Sequence, residues 1–217
     1  MRFGNNVMSR IKSPEEIREE CIAQMGENLG ELYDDLRNQL TWIHLKWNDY
    51  ESLFADTPEV INLLNKVAPA FFHNTQRMMI EDVVLHICRI TDNVTVAGNE
   101  TLTVKRFSRN MEDHILYHHS LSVAIEKCKF ARVRRNRRLA HREMPLVGGR
   151  RTEPLPETTR QKIREALTAL DSVLNRISQH YLNSTTAFSV SMGSVGGVDA
   201  LLSTLWEWNE RSEEFQP

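Results

Sequence analysis

The chain has 217 residues, with 27 Lys and Arg against 29 Asp and Glu, for a net charge of -2. Hydrophobic residues make up 41% and charged residues 26%, enough to bury a core and too apolar for a disordered chain. That balance excludes a protein binding polyanions through its overall charge and leaves only a local basic patch for such a task.

Three cysteines, Cys21, Cys88 and Cys128, are widely spaced and form no C-x-x-C pair. Each lies among apolar neighbours in a helical pattern, so they read as buried reduced thiols, not metal or redox groups. The first residues, Met1-Arg2-Phe3-Gly4-Asn5-Asn6, lack the apolar core of a signal peptide. No stretch approaches the ~18 apolar residues of a membrane span. The expectation is a cytoplasmic protein with no membrane partner.

Ser13-Pro14-Glu15-Glu16 has the marks of a helix start: a capping hydroxyl, Pro at the first turn, and acids at the positive dipole end. Apolar residues then recur at three- and four-residue steps from Ile17 to Phe54. They predict one long amphipathic helix or two nearly collinear ones, with Gly26 and Gly30 as weak points. Thr57-Pro58-Glu59 opens a second helix that must stop before Pro69. Pro69 opens a third, running to about Ile90 and closed by Thr91-Asp92-Asn93. Residues 92–101 read as loop and 102–109 as a brief helical turn.

A further long helix starts near Met111-Glu112-Asp113 and runs into an arginine-rich segment. Pro145, Gly148, Gly149, Pro154 and Pro156 make the following connection irregular. The last core helix spans Glu157 to about Leu182. Residues 183–197 read as linker, with Gly193-Ser194-Val195-Gly196-Gly197 lacking the Lys and Ser/Thr of a phosphate loop. Val198 to Glu207 forms a short terminal helix. The fold class is all-α, an antiparallel bundle of four to five main helices. The helical domain covers residues 13–188, and 189–217 form a linker and C-terminal extension.

Chemistry concentrates in one segment. From Lys127 to Arg151 there are ten Lys or Arg residues and one acid, Glu143. A charge run of this kind is often a solvated helix face, but its phase argues otherwise. Leu121, Ala124, Cys128 and Ala131 mark a buried seam at steps of three, four and three, and the next step of four lands on Arg135. A guanidinium continuing an apolar seam needs a carboxylate partner or a cleft that receives an anion. Glu81 or Asp82, on the third helix, is the expected counter-charge. Asp82, His86 and Arg89 form a polar stripe that is either supporting structure for the site or an ordinary ion-pair ladder.

His141 follows shortly after. Six helical positions correspond to about 240° of rotation, so Arg135 and His141 share a site only if the helix ends or unwinds between them. Together they would supply proton transfer and charge stabilisation for splitting a phosphodiester without a metal. No cofactor or metal is expected: His86 with Asp82 lacks further ligands at suitable spacing, and the paired His118-His119 point about 100° apart on a helix. Trp42 and Trp47 read as core or dimer-interface residues, with base stacking a lesser alternative.

Arg135, Asn136 directly after it, and Ala140-His141 a few positions on resemble the motif of the HEPN superfamily of helical ribonucleases and toxins. Four blocks narrow the likeness: Leu40 to Trp47, Glu81 to Asp92, Arg135 to His141, and Tyr181 to Phe188. Over about residues 28–190 they resemble, in order, the HEPN-type domain of AbiU-like abortive-infection proteins. The resemblance implies a homodimer whose two motifs face one cleft, acting on RNA by attack of the ribose 2′-hydroxyl. It makes Arg135 and His141 the catalytic pair, with Asn136 helping to hold the site. Lys127, Arg134, Arg137, Arg138 and Arg142 would grip the RNA backbone. It also allows an antitoxin partner, and equally a non-catalytic member that only binds nucleotide or RNA or serves as a dimeric scaffold.

Overall fold

A computed structural model describes residues 12–54, 57–112, 114–136, 157–189 and 197–214. Among these residues eight α-helices follow in order: α1 (Pro14–Met25), α2 (Glu27–Leu53), α3 (Pro58–Val67), α4 (Pro69–Ile90), α5 (Ile115–Lys127), α6 (Lys129–Arg134), α7 (Arg160–Leu182) and α8 (Val198–Glu214). A two-strand antiparallel hairpin, β1 (Thr95–Val96) with β2 (Asn99–Glu100), and a 3₁₀ turn at Val104–Arg109 lie between α4 and α5. The all-α expectation holds. None of the described helices is long and apolar enough to cross a membrane.

α1 begins as its sequence predicts. Ser13 Oγ accepts from the Glu16 amide at 3.2 Å and the Glu16 carboxylate accepts from the Ser13 amide at 2.8 Å, a reciprocal capping box. It does not run on into α2. Gly26 adopts φ 80°, ψ 161°, and the chain folds back. Residues 22 and 30 would be ~12 Å apart along one helix. Instead, a Cβ on Gly30 would sit 2.5 Å from the Ile22 Cα, and the Arg18–Glu31 ion pair closes at 2.5 Å. The expected collinear pair is therefore a tight helical hairpin. Gly26 supplies the left-handed φ, and Gly30 lets the two backbones touch.

α2 is the hub of the bundle, packing on α1, α4, α7 and α8. Its buried residues Tyr33, Leu36, Leu40, Ile43, Trp47 and Tyr50 recur at alternating steps of three and four, which keeps one stripe turned to the core. α7 answers with Ile163, Ala166, Leu167, Leu170, Val173, Leu174 and Ile177. Each fully buried Leu or Ile contributes roughly 2 kcal/mol. Trp47 is core at 2% exposure, whereas Trp42 stands 63% exposed and belongs to no core.

Three further boundaries differ from expectation, and one is the start of α7, at Arg160 behind the Thr159 cap and not at Glu157. The fifth helix starts at Ile115, capped by the His114 side chain accepting from the Tyr117 amide, and it bends at Cys128. The bend lets α5 lie on α7 while α6 leans onto α4. α8 extends to Glu214 and packs on α2 and α3. The three thiols are buried and free. Burial pushes the Cys88 thiol up to about 11 and the Cys128 thiol up to about 12.

Two outcomes follow from this packing. Gly30→Ala drives a methyl into the α1 backbone and lowers unfolding stability by about 1–3 kcal/mol in urea titrations, more than a typical surface substitution. The thiols resist an alkylating reagent at pH 8 in the native state and react on unfolding. Their raised ionisation also fixes the pH dependence. The stability linked to their protonation is complete below the ordinary thiol value of 9.0 and is lost as the pH climbs through about 11 and then about 12, measured by alkaline unfolding.

Candidate functional site at the end of α4

Of the seam predicted on the fifth helix, Ala124, Cys128 and Ala131 are 0–2% exposed and Leu121 is partly buried against the core. Arg135 continues it, with its side chain 20% exposed. The α-helical pattern ends at Arg134, and Arg135 and Asn136 lie in a wider π-type turn. Such turns re-aim side chains that regular helix geometry would hold apart.

The counter-charge of Arg135 is Asp92, not Glu81 or Asp82. Arg135 Nη1 donates to Asp92 Oδ2 at 2.5 Å, with Asp92 only 15% exposed. Asp82 instead accepts from Lys46 Nζ on α2 at 2.6 Å and lies 3.4 Å from His86 Nδ1, a half-exposed pair tying α2 to α4. Glu81 lies 3.9 Å from Arg77. The reason is axial position. Asp82 and Glu81 sit more than two turns before the C-terminus of α4, whereas α6 meets α4 at that terminus.

Asp92 lies in a turn that is itself firmly held. Thr103, fully buried, donates its hydroxyl to the carbonyls of Ile90 at 3.1 Å and Asp92 at 2.9 Å. The Thr91 hydroxyl returns to the carbonyls of Ile87 and Cys88. Arg132 Nη2 donates to the Thr91 carbonyl at 2.5 Å. The last carbonyls of α4 thus find hydroxyl and cationic donors, as a helix C-terminus requires. Arg135 also donates through Nε to the Asn136 side chain at 3.1 Å. Its guanidinium carries more N–H donors than these two partners among the described residues use, so it is oriented with donors available to an anion.

The remaining site residues divide. Lys127 ends α5 and pairs with Glu165 on α7 at 2.7 Å, and Arg134 is partly buried on α6. His141, Arg137, Arg138 and Arg142 lie outside the described residues. Arg132 and Lys105 join the cluster without having been singled out in the sequence. Arg132 offered a signal, since it is three positions from Arg135 and shares its helical face. Asp92 did too, as the last residue of the Glu81–Asp92 block. Elsewhere His44 on α2 meets Asp171 on α7 at 2.7 Å and stacks on Phe188, locking two of the recognised blocks together. Among the described residues, no group of three or more His, Cys, Asp or Glu side chains is placed to hold a metal ion.

The fold is thus an all-α bundle with a largely buried arginine at a helix end, followed by asparagine. The model of one family, AbiU2 of the HEPN domains, matches residues 26–191, and the chain belongs to that family. No curated protein and no solved structure gives a significant match.

The two candidate carboxylates separate in stability measurements. Asp92→Ala strands a largely buried guanidinium and costs about 2–4 kcal/mol. Asp82→Ala breaks a half-exposed pair and costs below about 1 kcal/mol. Equal losses in chemical denaturation would contradict this placement.

Proposed function

We propose that this abortive-infection family member is a metal-independent endoribonuclease acting in antiphage defence or as a toxin. The observation that carries the reading is the motif arginine, held by Asp92 and Asn136 in a partly buried, locally cationic setting with N–H donors to spare. Such a group stabilises the extra negative charge of a pentacoordinate phosphorus, and a low local dielectric strengthens the effect.

In this reading a base removes the proton of a ribose 2′-hydroxyl, and the oxygen attacks the adjacent phosphorus. The bond to the 5′-oxygen of the next nucleotide breaks, that oxygen takes a proton from an acid, and a cyclic phosphate remains. His141 is the titrating group of the motif, with proton transfers worth about 10²–10⁴ each. One chain offers one such group, so a homodimer that brings two copies of His141 to one cleft supplies both base and acid. Lys127, Arg134, Arg137, Arg138 and Arg142 would hold the backbone, and an antitoxin protein would cover the same basic surface.

A second reading is favoured by the Arg135–Asp92 pair itself. A salt bridge of this geometry also suits a non-catalytic member in which Arg135 only fastens α6 to α4. The readings part in one experiment. The nuclease cleaves single-stranded RNA in EDTA, and His141→Ala abolishes cleavage while RNA affinity and the oligomeric state measured by light scattering persist. Intact RNA after incubation with the wild-type chain, free of any partner protein, would leave the scaffold reading in place.

A further inference from the structure

Three consecutive residues at the end of α4 each hold one cation. The Thr91 carbonyl accepts from Arg132 at 2.5 Å, Asp92 accepts from Arg135 at 2.5 Å, and the Asn93 side chain accepts from Lys105 Nζ at 3.0 Å. The cations arrive from two separate segments, α6 with the π-type turn after it and the 3₁₀ turn at 104–109. Among residues 91–93 Asp92 carries the single carboxylate.

A helix C-terminus attracts positive charge, equivalent to about half a negative charge. That does not account for three cations. The carbonyls of Ile87, Cys88, Ile90 and Asp92 are already served by the hydroxyls of Thr91 and Thr103. The Arg132 Nε is buried without a hydrogen-bond partner among the described residues. Lys105 is held below its ordinary ionisation range by burial first and then by the like charge of Arg132, with Asp92 opposing. Cations crowded at such a cost are relieved by an anion that lies between them.

We propose that Lys105, with Arg132 and Arg135, forms a phosphate subsite beside Asp92, and that the 3₁₀ turn is the second wall of the RNA-binding surface. This rests on the ribonuclease reading and extends it: the backbone phosphate next to the scissile one lies against Lys105. The ammonium has N–H donors beyond the one given to Asn93, and the turn is held in place by the Thr103 hydrogen bonds. Lys105 contacts substrate backbone and not the reacting atoms, so it is a binding residue whose loss falls on affinity.

The test uses a 2′-O-methyl oligoribonucleotide, which lacks the attacking hydroxyl and stays intact. Its affinity is measured against salt concentration for the wild type, Lys105→Gln and Arg211→Gln, the last removing an exposed cation on α8 as a control for net charge. Lys105→Gln is expected to weaken binding about fivefold near 0.1 M salt and to lower the logarithmic salt slope by about 0.7, the share of one single-strand phosphate contact. Arg211→Gln should change neither. A second arm follows the melting temperature in inorganic phosphate, where the wild type should gain more than Lys105→Gln. Unchanged affinity and slope in Lys105→Gln overturn the subsite and leave the nuclease reading intact. Failure of the wild type to bind the oligonucleotide, with phosphate stabilisation still dependent on Lys105, sinks the RNA reading and keeps an anion site. Loss of both removes both.

Discussion

An arginine carried inward by an apolar seam has to be met by negative charge, and that requirement organises this end of the molecule. Ala124, Cys128 and Ala131 turn one face of the chain into the core, and Arg135 follows in phase. Left unpaired it would cost several kcal/mol. Asp92 meets it because α6 packs at the C-terminus of α4, where the helix dipole also favours cations. The Thr91 and Thr103 hydroxyls then fix the turn that carries Asp92, so the guanidinium is held on a rigid frame.

That frame depends on the bundle behind it. α2 is packed by α1, α4, α7 and α8, and its three-and-four spacing places one continuous stripe in the core. Polar locks set the register between helices. Lys46 with Asp82 joins α2 to α4, and His44 with Asp171 joins α2 to α7. Both locks, and Asp92 as well, lie within the matched residues 26–191. The candidate site is thus positioned by how α4 is clamped between α2 and α6.

The thiols show the same logic at a neutral group. Cys88 and Cys128 sit in the layer directly beneath the cationic turn, and burial raises both far above physiological pH. Their ionisation is suppressed although Arg132 lies near both and Arg135 near Cys88, which means that desolvation outweighs attraction there.

Much of this was legible from residue order. The helical class, the breaks at Pro58 and Pro69, the Ser13 cap, and the seam leading to Arg135 all follow from local patterns: period, caps and imino-acid geometry act over a few residues. Three features required the tertiary structure. The fold-back at Gly26 depends on α1 having a surface to pack on, since a glycine in a helical pattern permits a turn without demanding one. The bend at Cys128, with neither proline nor glycine to announce it, arises because α5 and α6 serve different neighbours. The partner of Arg135 was settled by where α6 crosses α4. Periodicity tells which face of a helix is buried, but the height at which two helices meet is fixed by packing between segments distant in sequence.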